Sequence, residues 1–193
     1  MESLVNGLGA EAEERFLAEL RREFPAFRVI SKRGNRLSTA IDRALRVLSF
    51  GKQDRYLTEY RTVLGDTLYV PESWNATKPV DRLICLRHER VHLRQRRRYG
   101  TVGMAVLYLF VPFPLGLAWF RARMEWEAYA ETLRATSEWY GIEAVTHPSM
   151  REHILERFSG PDYLWMWPFR ATVSRWYDEV VEELAGGASA LPR

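Results

Sequence analysis

Residues 79–100 read PVDRLICLRHERVHLRQRRRYG, and the rest of the chain is read outward from this stretch. Pro79 suits the first turn of a helix, where its missing N–H has no partner to lose, and Gly100 suits a helix end. The pattern predicts one helix over 79–100. On it stand His88, Glu89 and His92 in an HExxH arrangement. Side chains four apart on a helix lie one above the other, so both imidazoles can reach one metal ion. Glu89 sits about 100° round from His88. That is near enough to exchange a proton with water at the metal without being a ligand. In helical projection Cys85, His88, His92, Arg96 and Glu89 share one arc. Ile84 and Val91 flank it on one side and Leu86 and Leu93 on the other, while Arg87, Arg90 and Arg94 face away. A polar seam between two apolar flanks suits an active-site helix set inside a domain.

The surroundings bound what such a helix can belong to. A chain of 193 residues and 22.6 kDa fits one domain, 1–193. With 47% hydrophobic and 27% charged residues it is not a mainly disordered chain. A single cysteine, Cys85, excludes an intramolecular disulfide framework and a cysteine-rich zinc module, and an inert buried thiol is expected there. A net charge of +3 is only a weak attraction for anionic partners. The first residues, MESLVNGLGAEAEERF, lack the basic-then-apolar pattern of a leader, so a cytoplasmic location is expected.

Before the central helix, residues 10–24 place Phe16, Leu17, Leu20 and Phe24 on one helical stripe that Pro25 ends. FRVIS, 27–31, reads as a short strand. STAIDRALRVLSF, 38–50, reads as a second helix capped by Ser38, with Ile41, Leu45 and Leu48 at helical spacing. YLTEYRTVLGDTLYVP, 56–71, reads as a hairpin with strands at 60–64 and 67–70 around Gly65-Asp66. ESWNATK, 72–78, reads as a loop. The fold class is therefore α+β.

Two histidines do not complete a zinc site, which needs a third protein ligand and, for catalysis, an open position. His147 precedes a proline in a loop context, and His153 falls in a predicted helix, 149–158. The compact HExxHxxGxxH pattern is absent, because Gln95 and Arg98 stand at its glycine and its last histidine. The stronger candidates lie downstream in Glu125-Trp126-Glu127-Ala128-Tyr129. Glu125 and Glu127 are about 200° apart on a helix, so only one of them can face the ion.

These residues, His88, Glu89, His92 and the run 125–129, resemble the gluzincins, HExxH metallopeptidases whose third zinc ligand is a glutamate on a later helix. The resemblance covers about residues 56–136 and leaves a helical, aromatic extension over about 137–185. It implies a zincin-like fold, with a small sheet or hairpin packed against an active-site helix and a glutamate-bearing helix, and further helices at both ends. It implies Zn²⁺ held by His88, His92 and Glu125, with Glu127 as the alternative third ligand and Glu89 as the catalytic base. Ala128 matches the family's small residue in Glu-x-x-Ala-Asp. Tyr129 stands where the aspartate that supports a ligand histidine usually stands, so a supporting hydroxyl is expected there. The implied reaction is hydrolysis of peptide bonds in a peptide or protein substrate, with an edge strand near 67–70 holding substrate in extended form. Arg96, Tyr99, Tyr108 and Tyr129 are the candidates for stabilising the oxyanion. The alternative function is a non-hydrolytic zincin-fold binding or scaffold domain.

Residues 102–120, VGMAVLYLFVPFPLGLAWF, form a run of 19 without a charge, long enough to raise the question of a membrane span. A straight span would separate His92 from Glu125 by a membrane thickness, which a shared zinc forbids. Pro112 and Pro114 in its middle favour a reversal. The expectation is a helix to Phe110, a turn, and a return helix from about Leu115 to Arg134. That hairpin is either buried or in peripheral contact with a membrane. The aromatic cluster of Trp165, Trp167, Phe169, Trp176 and Tyr177 reads as core or docking surface. The arginines 94 and 96–98 match no nucleic-acid-binding fold.

Overall fold

The computed structural model describes residues 2–34, 39, 61–109, 119–160, 167 and 169–189. The helix expected over 38–50 and the turn at Pro112 and Pro114 lie outside them. The described residues form an α+β chain with six α-helices and one three-stranded mixed sheet. Its contacts divide it into two compact units, Met1–Glu89 and Arg90–Arg193.

The first unit begins with α1, Glu2–Glu23. Its expected stripe meets the interior, with Leu20 and Phe24 buried, and the helix ends at Glu23, two residues before Pro25. It starts eight residues earlier than periodicity indicated, at Glu2 rather than residue 10. Strand β1, Arg28–Ser31, follows. Strands β2, Thr62–Leu64, and β3, Thr67–Val70, form the expected hairpin, with Thr62 opposite Tyr69 and Leu64 opposite Thr67. Gly65 turns the chain at φ 62°, a left-handed conformation that favours glycine.

The sheet order is β1-β3-β2, and β1 pairs with β3 in parallel, Arg28 opposite Thr67 and Ser31 opposite Val70. This corrects the expectation that 67–70 is a substrate-holding edge. Strand β3 is central, with Leu68, Tyr69 and Val70 buried, and neighbouring strands occupy both of its hydrogen-bonding sides. The parallel partner is more than thirty residues away in sequence, too far for local pattern to reveal. Residues 72–78 also differ from expectation, since Glu72–Ala76 form a 3₁₀ helix that buries Trp74.

Helix α2, Pro79–Leu109, begins at Pro79 and is broken at Gly100 (φ 72°, ψ 164°). Its first turns are fixed within the first unit. Arg82 donates to both oxygens of Glu13 on α1, at 2.7 and 2.6 Å, and also to the Thr77 carbonyl. Gly9 allows close approach of α1, because a Cβ there would lie 2.5 Å from a methyl of Val80.

The second unit contains the rest of α2, then α3 (Trp119–Tyr140), α4 (Ile142–Thr146), α5 (Pro148–Ser159) and α6 (Arg170–Ser189). Ala122, Trp126, Ala130 and Leu133 recur along one face of α3 and meet Val145, Ile154, Phe158, Val173 and Trp176 in one core. Trp126 packs against both Phe158 and Trp176, and Tyr177 donates its hydroxyl to the Val145 carbonyl. The C-terminal aromatics at 176 and 177 are thus core residues. Phe169, by contrast, is exposed. No helix among the described residues is long and apolar enough to cross a membrane.

Candidate metal centre

Helical periodicity sets the first half of the site. On α2 the Leu86 and Leu93 flank is fully buried, while Ile84 and Val91 are half-buried. This holds the seam between them at the surface of the core. His88 and His92 are half-buried there, and Glu89 is buried. The unit boundary falls after Glu89, inside this continuous helix, so the helix itself sets the spacing of the two histidines.

The second half comes from α3. Glu125 lies one position before Trp126, so burying Trp126 in the core turns the Glu125 carboxylate about 100° away from it. Glu125 is itself buried. Its Oε2 lies 3.7 Å from His92 Nε2. One ligand atom from each of His88, His92 and Glu125 falls within 4.8 Å of the others.

The donor set fits a zinc ion. Two imidazole nitrogens and a carboxylate oxygen are common zinc ligands, and bound tetrahedrally they would stand about 3.3–3.5 Å apart. The observed grouping is slightly more open than that. Three protein ligands leave a fourth position for water or substrate.

The other sequence candidates separate clearly. Glu127 does not join the group, and its Oε2 accepts a hydrogen bond from Gln95 Nε2 at 2.9 Å. Tyr129 packs its ring against Phe158, centroids 5.5 Å apart, on the side of the α3–α6 core. Arg96 is half-buried and Tyr99 exposed, while the side chain of Tyr108 lies outside the described residues. His147 caps α5 by accepting from the Ser149 backbone N–H, and His153 is exposed on α5. Cys85, one turn before His88, is half-buried and does not join the group. Burial pushes its thiol up to about 12, the Glu89 charge adds to this, and Arg61 opposes it.

Sequence reasoning missed Gln95, noted only as the residue in place of a glycine. It is buried, its Oε1 lies 3.0 Å from His92 Nδ1, and its Nε2 donates to the Met124 carbonyl at 2.9 Å. The available signal was its position three residues after His92, on the neighbouring part of the same helical face. Comparison of the chain with family models, curated proteins and solved structures finds no match.

Proposed function

We propose that this chain is a zinc-dependent peptidase of the gluzincin kind. The observation that carries the reading is the convergence of His88, His92 and Glu125, two residues from one HExxH helix and one from a later helix. Zinc in such a site supplies Lewis acidity and makes water acidic near neutral pH. The chain's residues have distinct parts in this reading. His88, His92 and Glu125 hold the metal. Glu89 follows His88 directly and lies on the same seam, where its carboxylate takes a proton from the attacking water and passes it to the leaving amine. Glu89 and Glu125 are each buried, which limits the access of bulk water to them.

The test is metal content together with cleavage of a peptide library. Wild type, Glu89→Gln and Glu127→Gln should each carry one zinc, and Glu125→Gln should lose it. Glu89→Gln should also lower cleavage by about 10²–10⁴-fold. Zinc retained by Glu125→Gln overturns the ligand set. Cleavage undiminished in Glu89→Gln overturns the mechanism. Zinc without any cleavage by the wild type would instead favour a non-hydrolytic zinc-binding domain.

A further inference from the structure

We infer that Gln95 is a positioning residue that fixes the tautomer of His92 and ties it to the helix carrying Glu125. The inference rests on reading His92 and Glu125 as metal ligands, but not on peptide hydrolysis. A primary amide has an NH₂ end that only donates and an oxygen that only accepts. Gln95 Nε2 faces two acceptors, the Met124 carbonyl and Glu127 Oε2, each at 2.9 Å. Turning the amide over would set its oxygen against both, with no hydrogen between them. The orientation is therefore dictated by the two α3 acceptors, and Oε1 must face His92 Nδ1, 3.0 Å away.

The consequence passes to the imidazole. A carbonyl oxygen can only accept, so Nδ1 must carry the proton in the neutral ring. The lone pair then belongs to Nε2, the atom that lies 3.7 Å from Glu125 Oε2. Gln95 is 5% exposed, so water competes little for these bonds. The same amide acts on the other ligand as well. Its bond to the Met124 carbonyl holds α3 at the residue immediately before Glu125. One side chain thus selects the metal-binding nitrogen of His92 and locates the backbone that presents Glu125. Oriented hydrogen bonds behind a ligand histidine commonly serve this purpose, and here an amide and a carboxylate on a second helix share it.

The test begins with metal-free wild type, its histidines labelled with ¹⁵N, at a pH where the ring is neutral. Long-range proton–nitrogen correlation should show His92 protonated on Nδ1. Protonation mainly on Nε2 overturns the proposal without any variant. Gln95→Met, similar in shape but without the polar atoms, should lose the Nδ1–H preference. By chelator competition it should also weaken zinc binding about 10–100-fold. Both readouts unchanged would overturn the proposal. Gln95→Glu keeps an acceptor for the Nδ1–H of His92 but sets a carboxylate against both Glu127 and the Met124 carbonyl, and adding Glu127→Gln relieves only the first of these. Both variants should keep the Nδ1–H signal, and the double variant should recover part of the zinc affinity lost in Gln95→Glu; loss of the signal in either variant counts against the proposal. A wild type with the Nδ1–H tautomer, lost in Gln95→Met, but with no zinc affinity would leave the positioning role standing and remove the metal reading.

Discussion

At Arg82, helix α2 meets a carboxylate with a cation; less than three turns later, at His88 and His92, it carries imidazoles that can each offer a lone pair. The Arg82–Glu13 pair is complete in itself. Two N–H groups reach two oxygens at 2.7 and 2.6 Å, and the carboxylate holds the guanidinium pKa above its ordinary value. His88, His92 and Glu125 converge as three potential electron-pair donors, with no cation among the three. The difference teaches how to separate a polar cluster that holds a fold from one suited to a ligand. The first matches donor to acceptor within the chain. The second brings one ligand atom from each of three residues within 4.8 Å of the others, and a metal ion is a partner that all three could share.

The comparison can be broken most severely with metal. Zinc that binds only the folded chain should stabilise it by about 4 kcal/mol at a free concentration of roughly 1,000 times Kd. Denaturant titrations with and without zinc should show this gain in wild type and in Glu13→Ala, and its loss in Glu125→Gln. A gain that survives Glu125→Gln would mean the zinc sits elsewhere.

The next largest effect belongs to the ion pair. Glu13→Ala leaves a largely buried guanidinium without its bidentate partner and should cost about 2–3 kcal/mol by urea unfolding. This loss should be the same with zinc or without it. A zinc-dependent loss would show that the two clusters are coupled along α2.

An effect confined to alkaline pH concerns Cys85, which lies between them on the same helix. Its thiol titrates at about 12 in the fold, against 9.0 for an unperturbed thiol. Between those values the unfolded chain has released the proton and the folded chain has kept it. Stability from this group is therefore whole below pH 9 and declines as pH rises toward 12. Cys85→Ala should flatten that alkaline decline, and an unchanged slope would assign the decline to other groups.

Local pattern reached far in some places and stopped abruptly in others. The hairpin turn at Gly65, the start of α2 at Pro79 and its break at Gly100 follow from single-residue backbone preferences, so nearby sequence is enough to read them. The burial of Leu86 and Leu93 follows from helical period alone. The central place of β3 does not, because its parallel partner β1 is joined to it through a long intervening segment.

The candidate metal centre divides along the same line. The sequence by itself determined that His88 and His92 stack on one helical face with Glu89 beside them, because residues four apart on a helix must do so. It offered Glu125 and Glu127 as candidates for a third ligand, and their separation of about 200° round a helix means that only one of them can face the histidines. Only the tertiary structure decided which of them faces the histidines. Burying Trp126 in the α3–α6 core rotates Glu125 toward His92, and it leaves Glu127 to Gln95. That choice depends on how one helix is rolled against its neighbours, a quantity set by packing across the whole core and by no residue within the motif.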